Sequence, residues 1–146
     1  MSRRVLSSIE KEKLINKYPF LKCSEDNDII LLDCLPIGWV IRFGEQMCAE
    51  LLEILQHHNY VEEYEVYQVK EKFNELRWYD NADYAWEDYK KWLHKYEELS
   101  YHTCVKCGQP ATVITNGWAT SYCDDCVGDL KVNYHDIDFT NLTEVE

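Results

Sequence analysis

Val40, Phe43, Met47, Leu51 and Leu55 recur at three- to four-residue steps, which predicts one amphipathic helix over about residues 39–57. Gly44 weakens that helix and marks close packing by a neighbour. A second stripe, Tyr89, Trp92, Leu93, Tyr96 and Leu99, predicts a helix over about residues 83–99. Between the helices the period shortens to two. Residues 64–72 and 75–80 read as the strands of a hairpin turning at Phe73-Asn74, with Leu76 and Trp78 on one face and Arg77 and Tyr79 on the other. Tyr64/Val66 and Tyr67/Val69 are out of phase, which calls for a bulge in the first strand. The helices are expected to pack on the hairpin and to bury Phe43, Leu51, Trp78 and Trp92.

Ahead of this, Ser7 or Ser8 can cap a short helix over residues 9–17, with Leu14 and Ile15 turned inward and Tyr18-Pro19 ending it. Residues 24–28 form a polar turn. Residues 29–32 are a short apolar run that reads as a strand. Pro36 and Gly38 punctuate the chain before the first long helix.

The chemistry is concentrated near the C-terminus. Cys104 and Cys107 form one Cys-x-x-Cys pair, Cys123 and Cys126 a second, and fifteen residues lie between. Each pair offers two thiolates from one tight turn, and two such knuckles joined by a hairpin close a tetrahedral site, the pattern of a four-cysteine zinc site. Asn116-Gly117, midway between the pairs, is a strong hairpin signal, with strands expected over residues 111–115 and 118–122. Two disulfides are the competing reading; a total of seven cysteines and a start without a long apolar run argue against it. His102 is the nearest substitute ligand, and four cysteines make it unnecessary. Cys23, Cys34 and Cys48 are read as small buried hydrophobes. Four thiolates leave no open coordination position, so the expected role is one structural Zn²⁺ per chain.

The formal charge is −12, from 27 acids and 15 bases. Only the first twenty residues are basic, with five bases against two acids. Most of the surface would repel a phosphate backbone and attract basic proteins. Aromatic residues make up 14% of the chain, including eleven tyrosines and five tryptophans, the types that anchor protein interfaces. No stretch is long and apolar enough for a membrane span. His57 and His58 are adjacent but belong to no recognisable motif, and Asp124 and Asp125 sit inside the second knuckle, where they are expected to be exposed. No phosphate loop, nucleophile elbow or metal-hydrolase signature appears. No catalytic residues are assigned.

From Gly38 to Cys126 the chain resembles a family of small bacterial and phage zinc-ribbon proteins. The likeness rests on Gly38-Trp39 with Gly44 to Cys48, on Gln68 to Phe73 followed by Leu76 to Tyr79, and on Thr103, Cys104, Cys107, Gly108, Pro110-Ala111, Gly117-Trp118, Tyr122, Cys123 and Cys126. Relatives carry glycines where this chain has Asn74-Glu75, and some end the zinc site with histidine where it has Cys126. The resemblance implies the zinc site and a single domain. It implies no activity. Occurrence in phages implies an accessory gene that counters a host defence.

The expected fold class is therefore α+β: a small antiparallel hairpin packed with two amphipathic helices, plus a C-terminal zinc ribbon with four cysteine ligands. Residues 1–126 form the domain, with the ribbon at 103–126, and residues 127–146 form an acidic, loosely held tail. The expected function is a non-enzymatic, cytoplasmic protein-interaction module whose partner has a basic surface, such as a host nucleic-acid enzyme. The alternative is a nucleic-acid-binding ribbon using Lys70, Lys72 and Arg77 beside Trp78 and Tyr79.

Overall fold

The computed structural model describes residues 6–23, 28–117, 119–133 and 139–142. The chain runs through α1 (Ser8–Lys17), 3-10 turns at Pro19–Leu21 and Leu31–Cys34, α2 (Ile37–Trp39), a π-helical turn at Val40–Gly44, and α3 (Glu45–His57). The hairpin β1 (Val66–Lys72) and β2 (Glu75–Asp80) follows, then α4 (Glu87–Tyr101), β3 (Val113–Thr115), β4 (Ser121–Tyr122), α5 (Asp124–Asn133) and β5 (Phe139–Asn141). The architecture is α+β, as expected. The polar turn expected at 24–28 lies, apart from its last residue, outside the described residues.

Ser7 caps α1 through a capping box: its hydroxyl accepts from the Glu10 N–H at 3.1 Å, and the Glu10 carboxylate accepts from the Ser7 N–H at 3.2 Å. The long helix shows why its apolar stripe is spaced as it is. Trp39, Phe43, Met47, Leu51 and Leu55 are all fully buried and lie four residues apart. In a regular α-helix, four residues turn about 400°, so a stripe with that spacing drifts by about 40° per step. The π-helical turn at Val40–Gly44 winds more slowly and offsets part of the drift. Trp39 and Phe43 thereby stay aligned with the buried face of α3.

β1 and β2 pair antiparallel, with Val69 opposite Trp78, Lys70 opposite Arg77 and Lys72 opposite Glu75. The register slips between Val66 and Gln68, the bulge that the phase break demanded. Val69, Leu76 and Trp78 face inward, with β2 packed on α4 and β1 on the 3-10 turn Leu31–Cys34. Trp92 of α4 meets Trp78 edge-on at 5.5 Å, and its indole N–H donates to the Met47 carbonyl at 2.9 Å. Under the hairpin the Asp80 carboxylate accepts from the hydroxyls of Tyr64 and of Tyr89, and the Trp78 indole N–H donates to the Tyr64 hydroxyl at 2.8 Å. Burial, then the Asp80 carboxylate, pushes both phenols well above their usual range. Phe73 and Asn74 turn the hairpin with φ of 52° and 66°. Both central residues are left-handed, which favours glycine.

Several expectations are corrected. Residues 29–32 are not a strand. Ile30 makes one bridge with Lys22, and the Asp33 carboxylate accepts from the Ile30 N–H at 2.8 Å, turning the chain into a 3-10 helix. The fourth helix starts at Glu87, not near 83. The Asp83 side chain accepts from the Ala85 N–H at 2.9 Å and its carbonyl from the Trp86 N–H at 3.1 Å, which holds a turn there. Cys48 is buried, but Cys23 and Cys34 are exposed. Of residues 127–146, expected to form an acidic, loosely held tail, 127–133 belong to α5 and 139–141 form β5, which pairs with β3, while 134–138 and 143–146 lie outside the described residues. Its acidity conceals a strand that needs only backbone partners. No helix among the described residues is long and apolar enough to cross a membrane.

Two substitutions test this packing by urea unfolding. Trp92→Ala is expected to cost about 3–5 kcal/mol. Phe73→Gly is expected to stabilise by about 0.5–1 kcal/mol, because relief of a left-handed side chain exceeds the entropy that glycine adds to the unfolded chain. Phe73 is exposed, and the change removes only an exposed contact with the Lys72 ammonium, 5.7 Å from the ring centre.

Candidate metal centre

The first knuckle leaves the end of α4. His102 closes that helix, Thr103 bridges to Pro110, and the Gly108 N–H donates to the Cys104 carbonyl at 3.1 Å. Gly108 sits at φ +83°, which completes the tight turn. The second knuckle forms where β4 passes into α5, so that Cys123 and Cys126 lie one helical turn apart, and the Cys126 N–H points at the Cys123 sulfur at 3.5 Å.

All four cysteines are free, and the sulfurs of Cys104, Cys107, Cys123 and Cys126 lie within 4.8 Å of one another. Cys107 and Cys123 approach to 3.5 Å, far beyond a disulfide bond. Four sulfurs about 2.3 Å from a central ion would stand about 3.8 Å apart, so the cluster is of the right size to hold one metal ion. Cys104, Cys123 and Cys126 are buried and Cys107 is partly buried. Burial opposes ionisation of Cys104, but the backbone N–H groups of Cys123, Cys107 and Lys106 outweigh it and draw the thiol below its usual range. Cys107 and Cys126 are pushed up, first by burial; at Cys126 the neighbouring sulfurs add to the effect. Four thiolates in such a space repel one another without a cation between them. His102 stays outside the cluster, its ring against Tyr101. Asp124 and Asp125 are exposed, and the Asp124 carboxylate accepts from the Thr112 hydroxyl at 2.5 Å.

The strands between the knuckles are shorter than expected. β3 and β4 pair through Val113–Tyr122 and Ile114–Ser121, and Thr115 and Thr120 close a four-residue loop in place of a two-residue turn. Gly117 supplies the positive φ in that loop, and Trp118 lies outside the described residues.

Two features that fasten this centre to the rest of the fold are not apparent in the sequence. The first is Gly38. A Cβ there would stand 2.0 Å from the Cys104 carbonyl oxygen, and the Gly38 N–H donates to the Val105 carbonyl at 2.8 Å. The second is a buried polar junction. The Asn74 amide donates to the Ser121 hydroxyl at 2.5 Å and its carbonyl accepts from the Ser121 N–H at 2.9 Å. That hydroxyl donates to the Tyr101 carbonyl at 2.6 Å, and the Ser100 hydroxyl accepts from the Leu76 N–H at 2.9 Å. Hairpin, α4 and ribbon are hydrogen-bonded together there.

No family model, curated protein or solved structure matches this chain.

Elemental analysis of the purified protein is expected to find close to one metal ion per chain at these sulfurs. Cys107→Ser should lower that content sharply, and a strong chelator should lower the melting temperature of the wild type.

Proposed function

We propose that this chain is a non-enzymatic docking module, stapled by one structural Zn²⁺ at Cys104, Cys107, Cys123 and Cys126, that binds a protein partner through an acidic, aromatic surface. The observation that carries the reading is the exposure of Tyr67, Tyr79 and Tyr84 at the base of the hairpin and of Phe73 at its tip. Large aromatic side chains left in solvent mark interaction sites more often than isolated aliphatic ones do. Glu62, Glu63, Glu65 and Asp83, all exposed, stand around the hairpin base. Asn81 ties the two acidic stretches together, its side chain donating to the Glu63 carbonyl at 2.8 Å and accepting from the Glu65 N–H at 2.9 Å. Aromatic anchors within an acidic rim suit a basic partner surface, with charge setting the encounter rate and the rings setting residence. A closed set of four thiols supports a structural ion over a reactive one. The resemblance to phage proteins adds the finer reading: an accessory protein that blocks a host defence or nucleic-acid-handling complex.

One observation favours a second reading. Lys70, Lys72 and Arg77 share the outward face of the hairpin with Tyr79, with the Lys70 ammonium 5.8 Å from the Tyr79 ring centre. Trp78, expected beside them, faces the core. Arg77 is held by Glu75 at 2.8 Å, which removes part of its charge from use. Such a face would suit single-stranded nucleic acid.

The charge reversal Lys70→Glu/Lys72→Glu/Arg77→Glu separates the two. The protein reading expects host partners captured by the wild type to remain bound to this variant and to be lost from Glu62→Lys/Glu63→Lys. Micromolar binding of labelled DNA or RNA by the wild type, abolished in the triple variant, would establish the second reading in its place.

A further inference from the structure

A second cluster of metal-ligating side chains stands at the other end of α4 from the cysteines. His57 is the last residue of α3, His58 caps it, and Asp88 lies in the first turn of α4. One ring nitrogen of each histidine and a carboxylate oxygen of Asp88 lie within 4.8 Å of one another. The His58 Nε2 is 2.9 Å from one Asp88 oxygen and 3.1 Å from the other.

The bland account of these residues is an ion pair that ties two helix ends together. Three features go beyond it. First, the His58 ring is fixed face to face on Trp86, with centroids 4.0 Å apart and planes 2° from parallel. This holds Nε2 toward Asp88, whereas a simple surface pair tolerates many rotamers. Second, the Asp88 carboxylate is oriented by the Tyr89 N–H at 2.9 Å, so it is a prearranged acceptor with lone pairs to spare. Third, an ion pair has no use for His57. Its ring stands 5.0 Å from His58 and nearly perpendicular to it, bringing a third donor atom to the same point. His57 and Asp88 also line an open groove with Glu53, Lys91 and Lys95, so an ion there would face solvent.

We propose that His57, His58 and Asp88 form a second site, separate from the cysteines, for a divalent transition cation. Imidazole nitrogens with one carboxylate select Zn²⁺, Co²⁺, Ni²⁺ or Cu²⁺ over Mg²⁺ or Ca²⁺, which prefer oxygen. Three protein ligands leave at least one position for water or for an external donor, the reverse of the closed set of four thiols. The ion would replace the proton shared between His58 and Asp88 and clamp the end of α3 to the start of α4. The hairpin and the exposed tyrosines lie on the chain between those two points.

Calorimetric titration with Zn²⁺ and with Co²⁺ tests this on full-length protein whose cysteine site is already loaded. The wild type should take up one further equivalent per chain. For Co²⁺ that equivalent should lack the thiolate charge-transfer absorption that the cysteine site would show. His57→Ala, whose side chain is exposed, and Asp88→Asn should each weaken the second equivalent tenfold or more while leaving the first intact. Mg²⁺ should not compete. Should Asp88→Asn fail to fold, His57→Ala decides alone. A wild type that binds no second equivalent below millimolar concentration, or one whose second equivalent is unchanged in His57→Ala, would overturn the proposal. Neither result bears on whether the cysteines hold zinc, because the first equivalent is counted separately.

Discussion

Backbone meets backbone at Gly38, and the rest of the structure is arranged around that contact. The helix that carries Trp39, Phe43 and Met47 into the core begins directly against the peptide units of Cys104 and Val105, closer than any side chain would allow. Gly108 faces it from the other side: a Cβ there would approach the Gly38 carbonyl to 2.8 Å, and the Gly108 carbonyl accepts from the Arg42 guanidinium at 3.2 Å. The knuckle is thus seated on the N-terminal end of the long helix. Its position in turn fixes where β4 runs, and β4 presents Ser121 to the hairpin turn.

That arrangement explains a conflict in local preference. Asn74 sits in a left-handed conformation where glycine would cost less, yet it is fully buried. Glycine there would leave the Ser121 N–H without its partner, and a buried donor left unpaired costs about 1–3 kcal/mol. The hydrogen bonds to Ser121 therefore outweigh the strain of the turn. Phe73, beside it, is exposed, and its ring meets the Lys72 ammonium 5.7 Å from its centre.

Patterns that are periodic or closely spaced were readable from the chain: the two helical stripes, the inward set of Leu76 and Trp78, the bulge, and the two Cys-x-x-Cys pairs. What escaped depends on pairs of residues far apart. Asn74 reads as a turn residue because Ser121 lies 47 positions away. Asp88 reads as one acid among many because His58 is 30 positions earlier. Gly38 reads as punctuation because the carbonyl that excludes a side chain belongs to a different element. β5 was concealed by its composition, since an edge strand on a small sheet needs no apolar alternation to pair. The start of α4 was misplaced because Asp83, a good capping residue, closes a turn before the helix begins.

The junction of Asn74, Ser100 and Ser121 also has a dynamic consequence. Leu76 and Ser121 are far apart in sequence, but both amide protons are held by buried side chains, the first by Ser100 of α4 and the second by Asn74 of the hairpin turn. Freeing the first requires the hairpin to part from α4, and freeing the second requires the hairpin turn to part from the ribbon. In hydrogen-exchange terms the Ser121 amide reports the opening of the seam between hairpin turn and ribbon. An ion that tightens the knuckles would therefore slow exchange at Ser121, so that metal occupancy is recorded in the seam where the ribbon meets the hairpin turn.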